Sequence, residues 1–128
     1  DTGPLGALVA GLGAAPFHEA YVLPVDLPGV TAATLRALAA RRGDAPLVIA
    51  APEGRPQPLV GVFTMAAVGP IEHAWLEGER SVTRAVLKAG AVCVAGSELP
   101  GVPDDWININ TTDDLARATA HVTVRGAR

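Results

Sequence analysis

Residues 21–31 read YVLPVDLPGVT, an apolar run that ends at Asp26 and passes at once into Leu27-Pro28-Gly29. Read physically, Tyr21 to Val25 is a buried strand that delivers one carboxylate to its C-terminal end. In open α/β sheets ligands bind in the crevice beyond the carboxyl ends of the strands, so a lone acid there can hold a metal or a ligand hydroxyl. Thr31 then caps a helix, TAATLRALAARRG, with Leu35, Leu38 and Ala39 as its inner stripe and Gly43 as its stop. A strand followed by a capped helix is the repeating unit of α/β folds.

The same reading extends both ways along the chain. Upstream, Gly3-Pro4-Leu5 leads into a helix from about Leu5 to Ala14, with Leu5, Leu8, Val9 and Leu12 at helical spacing. Downstream, Leu47 to Ala50 is apolar without alternation, as in a strand covered on both faces. After a polar turn, Gln57 to Phe63 forms a third strand; Pro58 cannot donate a ladder hydrogen bond and must sit at the strand's start or on an exposed edge. Val68, Ile71 and Trp75, then Val82, Ala85, Val86 and Ala89, mark two helices broken at LEGER. Ala91 to Ala95 is a fourth strand and Ser97 to Asp105 a loop. Trp106 to Asn110 alternates as a strand, and Thr111 caps a last helix with Asp113 and Asp114 in its dipole-positive first turn. The tail after about His121 is expected to fray. The expectation is one α/β domain over residues 1–128, with a mostly parallel sheet and helices on both faces.

Composition narrows the function classes. Hydrophobic residues make up 49% of the 128, but aromatic residues only 4%, so the core must be built from Ala, Val, Leu and Ile. A net charge of −3 without any Lys/Arg cluster argues against nucleic acid, whose phosphate backbone requires a basic patch. Arg41-Arg42 is read as decorating a helix end. The single cysteine, Cys93, excludes an internal disulfide and a cysteine zinc site, and between Val92 and Val94 it reads as a small core hydrophobe. No apolar run reaches the roughly 18 to 20 residues that span a bilayer, and no basic segment opens the chain, so no membrane partner and a cytoplasmic location are expected. The chain opens on Asp1 with sequence that already reads as mid-domain, and a missing N-terminal segment is expected.

Several residues could carry chemistry. Asp26 suits Mg²⁺, which takes one or two carboxylates together with substrate phosphates; the plain alternative is a turn aspartate that satisfies backbone N–H groups. Asn108 and Asn110, two apart in a strand, present their amides on one face about 6.6 Å apart, an arrangement suited to a polar heterocycle; Asn110 equally suits a helix cap. Gly3 precedes a helix N-terminus, where free N–H groups favour an anion, or else forms a simple turn. Arg80 could pair with a phosphate or be solvated. His18, His73 and His121 lack metal-site spacing, and no phosphate loop, dinucleotide fingerprint, nucleophile elbow or other catalytic nucleophile occurs.

Taken in order, Gly3-Pro4-Leu5-Gly6-Ala7-Leu8, Leu23-Pro24-Val25-Asp26-Leu27-Pro28, Gln57 to Phe63, Gly78-Glu79-Arg80-Ser81 and Ile107-Asn108-Ile109-Asn110-Thr111-Thr112-Asp113-Asp114-Leu115 resemble the middle and C-terminal part of molybdenum cofactor guanylyltransferases. The resemblance implies a Rossmann-like nucleotidyltransferase fold that transfers GMP from GTP to molybdopterin, with Mg²⁺ as cofactor. It also implies that Asp26 binds the metal, that Gly3 lies beside the guanine nucleotide, and that Asn108, Asn110 and Arg80 face the molybdopterin. Positioning and charge neutralisation dominate such chemistry, which accounts for the lack of a nucleophile. The family's N-terminal Leu-Ala-Gly-Gly segment, with its Arg-Met-Gly and lysine, is not in the chain, and Ala7 stands where many relatives have glycine. The expected species is therefore an incomplete domain lacking its nucleotide loop, inactive as a fragment and prone to associate with itself or with that segment. The alternatives are a cytidylyl or sugar-phosphate nucleotidyltransferase and, in a different class, a non-catalytic pterin-binding module.

Overall fold

The computed structural model describes residues 3–14, 16–24, 32–100 and 120–125. The elements follow in the order α1 (Gly3–Leu12), β1 (Glu19–Pro24), α2 (Ala32–Ala40), β2 (Leu47–Ala51), β3 (Gln57–Phe63), α3 (Met65–Leu76), α4 (Val82–Lys88), β4 (Val92–Ala95) and β5 (Ala120–Arg125), with short 3₁₀ turns at Pro52–Gly54 and Gly96–Glu98. The five strands form one sheet in the order β4-β2-β3-β1-β5.

Strand direction explains this order. β1, β2 and β4 share one direction while β3 and β5 run against them, so the sheet is mixed rather than mostly parallel in its pairings: only β2–β4 is parallel and the other three pairings are antiparallel. β3 is reversed because only a 3₁₀ turn and two further residues separate it from β2. That link is far shorter than the crossover a parallel neighbour needs. Pro58 lies at the second residue of β3, at the strand's start; the exposed-edge alternative does not hold, because β3 is the central strand. The β2–β3 register jumps there from Ile49↔Gly61 to Ala50↔Gln57, leaving Pro58 to Val60 out of the ladder.

Both faces of the sheet are covered, and the period of two sorts the strand residues between them. Ala20, Val22, Leu47, Ile49, Leu59 and Phe63 pack with Leu5, Leu8 and Leu12 of α1, Ala67 and Ile71 of α3, and Val82, Ala85 and Val86 of α4. Tyr21, Val48, Ala50, Val60, Val62 and Val94 pack with Leu35 and Leu38 of α2 and with Leu99. The unalternating run of β2 is thus a strand buried on both sides. On the second face, the buried Thr34 Oγ1 donates to the Pro100 carbonyl at 2.9 Å, tying α2 to the segment after β4.

Two expectations are corrected. Residues 121–125 do not fray: Ala120–Arg125 pairs along the full length of β1, from Glu19↔Arg125 to Pro24↔Ala120. The β-branched Val122, Thr123 and Val124 were the available signal. Cys93 is not a core residue but is exposed, because β4 lies at the sheet edge and the period of two turns Cys93 away from the face on which Val92 and Val94 pack. Partial burial still raises its thiol pKa above the ordinary value. No helix among the described residues is long and apolar enough to cross a membrane.

The tightest backbone approach in the sheet is at Gly61, where a Cβ would stand 2.6 Å from the Val48 carbonyl oxygen and 3.2 Å from Phe63 Cε1. Gly61→Ala is therefore expected to lower stability in urea denaturation by about 1–3 kcal/mol. Gly69→Ala, on the exposed side of α3 with open space around it, is expected to leave stability unchanged or raise it by up to about 1 kcal/mol.

Candidate functional site

The common direction of β1, β2 and β4 brings their C-terminal ends to one edge of the sheet. The chain leaves β1 there at Pro24, two residues before Asp26, and the 3₁₀ turns after β2 and β4 lie at the same edge. These two turns touch: a Cβ on Gly96 would lie 3.3 Å from Pro52 Cα. α1 and α4 each lead into the opposite ends of β1 and β4, so their N-termini lie toward this edge, and α3, which follows the reversed β3, ends toward it. The fold thus gathers the start of α1, the end of β1 and the α3–α4 turn on one side.

Of the residues singled out from sequence, Gly3 and Arg80 are in the described part. Gly3 opens α1 with φ +67. Asp26, Asn108 and Asn110, and with them the expected strand from Trp106 and helix from Thr111, lie outside the described residues.

Arg80 sits in a turn that is specified on both sides. α3 closes with the Gly78 N–H on the Trp75 carbonyl at 3.0 Å and the Glu79 N–H on the Ala74 carbonyl at 2.9 Å. This paired ending places Gly78 in the left-handed region, at φ +99, where glycine carries no Cβ penalty. α4 opens with Ser81 as its N-cap, the hydroxyl oxygen accepting the Arg84 N–H at 3.1 Å. Arg80 Nη1 donates to the carbonyls of Trp75 (3.2 Å) and Glu79 (2.8 Å), and its guanidinium carbon lies 4.0 Å from the centre of the Trp75 ring. The side chain is exposed but held by these contacts, and no acidic side chain among the described residues pairs with it.

Sequence reading assigned no role to Glu79, yet it is the best-connected group of this turn. Its side chain is only 17% exposed. The carboxylate accepts the N–H groups of Arg80 and Ser81, each at 3.0 Å, and Nε of Arg84 at 3.2 Å, with Nη2 of Arg84 also at 3.2 Å. The Ser81 N–H, then the Arg84 side chain, hold its pKa down to about 2 from the ordinary 4.5. The signal was present in the sequence: an acid two residues before a serine cap, with arginine three residues beyond the cap.

Among the described residues, one groove of about 640 Å³ runs between α3 and α4 beside the turn and is lined by Pro70, His73, Ala74, Glu77, Glu79 and Lys88. Within it His73 and Glu77 pair at 3.3 Å, one helical turn apart. A smaller one, about 320 Å³, lies at the opposite end of the sheet, near Pro46 and Thr64. Among the described residues no group of three His, Cys, Asp or Glu could by itself hold a metal ion.

A mixed sheet with this strand order, layered between helices and carrying its loops on one edge, is a Rossmann-like α/β fold. Molybdopterin-guanine dinucleotide biosynthesis protein A from Archaeoglobus fulgidus superimposes with a TM-score of 0.61 at 24% identity, over 90% of this chain and 60% of that one. Residues 1–94 match the MobA-like NTP transferase domain, and the chain belongs to that family. It is 34% identical over 120 residues to the molybdenum cofactor guanylyltransferase of Pseudomonas paraeruginosa and 33% identical over 123 residues to that of Ectopseudomonas mendocina. The matches cover 90% and 96% of this chain and 58% and 59% of those relatives, so the chain spans somewhat more than half of their length.

Glu79 gives the turn a pH signature. Its folded pKa is depressed, so its contribution to stability is complete above about pH 4.5 and is lost as the pH falls towards about 2. The thermal midpoint should fall across that window more steeply in the parent protein than in Glu79→Gln; parallel curves would show that these bonds do not differ between the folded and unfolded states.

Proposed function

We propose that the chain acts in GMP transfer from GTP to molybdopterin and carries the acceptor-facing part of that site. The observation that carries this reading is the convergence on one sheet edge of the α1 start, the β1 end and the α3–α4 turn. These are three of the segments through which the sequence resembles guanylyltransferases. The names of the relatives support the same reaction.

The residues divide the task. The α1 N-terminus, beginning at Gly3, turns the positive end of the helix dipole toward the guanine nucleotide. Arg80 supplies a fixed cation to the acceptor, and the paired amides of Asn108 and Asn110 match donors and acceptors on a pterin. Binding and orientation are the chain's contribution; the phosphate of the acceptor is itself the nucleophile, so no side chain has to form a covalent bond.

Magnesium fits the donor chemistry available. Asp26 is a hard oxygen ligand directly after a strand end, and among the described residues there is no cysteine and histidine cluster that would favour a softer metal. Bound at Asp26, the ion would neutralise phosphate charge.

The test is an assay of the whole protein encoded by its reading frame with GTP, Mg²⁺ and molybdopterin, following pyrophosphate release. Asp26→Ala should lower the rate by at least about 100-fold with a nearly unchanged melting temperature; full turnover in this variant would remove the metal assignment. Asn110→Ala should raise KM for molybdopterin more than KM for GTP, and a preference for CTP over GTP would replace the guanylyl reading with a cytidylyl one.

A further inference from the structure

Arg80 lies exposed on a turn whose own hydrogen bonds fix its course. The paired ending of α3 fixes the chain up to Glu79, the Ser81 cap fixes it from the other side, and the Glu79 carboxylate closes the interval through the N–H groups of Arg80 and Ser81. Trp75 supports one face of the guanidinium, and Nη1 alone is engaged, by the two carbonyls. Nε and Nη2 of Arg80 make no hydrogen bond among the described residues, and together they form the side-on edge of the planar group. That edge matches two oxygens of one phosphate, whereas a lysine ammonium could offer only a point charge.

The charges of the turn are arranged to keep this edge available. Glu79 is the acid nearest in sequence and would be the natural partner of Arg80. Its side-chain pairing is with Arg84 instead, at 3.2 Å, while its bonds to Arg80 go to the main chain. One cation is therefore neutralised and the other is left over.

We infer that Glu79 is a positioning residue: by pinning the backbone at Arg80 and Ser81 while pairing with Arg84, it keeps the Nε–Nη2 edge of Arg80 open as a bidentate seat for the phosphate group of the acceptor. This deepens the functional reading above and rests on its assignment of Arg80 to the acceptor. It adds which part of the acceptor Arg80 grips and which residues aim it.

The chain has two tryptophans, so Trp106→Phe leaves Trp75, in contact with Arg80, as the sole indole reporter. In that background the protein is titrated with inorganic phosphate and with pyrophosphate, read by Trp75 emission and by the Arg80 Nε–H resonance. Saturable changes in both are expected. Arg80→Lys should weaken binding at least about tenfold, because the fork is lost while the charge stays. Glu79→Gln should weaken it roughly fivefold or more, and Glu79→Asp, which keeps the charge, should recover part of the loss. Ser81→Ala removes the α4 cap but keeps the N–H that Glu79 accepts; it should lower the melting temperature and weaken phosphate binding much less than Glu79→Gln.

Silence of both signals in the parent would overturn the inference, as would undiminished affinity in Glu79→Gln, or a loss in Ser81→Ala equal to that in Glu79→Gln. Failure of the guanylyltransferase reading is separable: it would appear as absent GTP-dependent pyrophosphate release with the phosphate titration intact.

Discussion

The structure depends on β3 running against its two neighbours. A strand leaving β2 through a 3₁₀ turn has no choice but to return alongside it, and β1 then pairs with the far side of β3. Two reversals restore the original direction, so β1 and β2 point the same way although they are not adjacent. The close approach of Gly61 to the Val48 carbonyl is where this sandwiching is tightest, and no side chain larger than hydrogen fits there without movement. Because the reversals cancel, the strands that precede functional loops all end at one edge, and the helices beside them deliver their own ends to the same place.

Much of this was legible in the sequence because the strands are short, apolar and bounded by strong turn residues. Leu47 to Ala50 announced burial on two faces by its lack of alternation, and the alternation of its contacts between the two cores bears that out. LEGER announced the break between α3 and α4 because it joins a glycine stop to a serine cap. Direction was harder to read. Nothing in the composition of Gln57 to Phe63 says that the strand is reversed; the length of the preceding connection does. Ala120–Arg125 was missed because its partner is β1, about 100 residues earlier, and a periodicity window cannot sense a pairing at that range.

The site was less legible than the fold, for a physical reason. Asp26 and the two asparagines stand out because their residue types suggest ligands. Glu79 and Trp75 do not, since their importance lies in geometry: a carboxylate bonded to main-chain N–H groups on one side and to an arginine on the other, and an indole beneath a guanidinium. Both serve Arg80 rather than a ligand, and a helper of that kind leaves only a faint trace in a single sequence, here the spacing of acid, cap serine and arginine.

The pairing of β1 with β5 bears also on how the chain is made. Contacts between residues so far apart in sequence form late, because the entropy of closing so long a loop must be overcome before the contacts return anything. During synthesis β1 emerges well before β5 and meets β3 within some forty residues. Its pairing with β5 waits until residues 120–125 have left the ribosome. Until then, chaperone capture or pairing with another chain can compete with β5 for that side of β1.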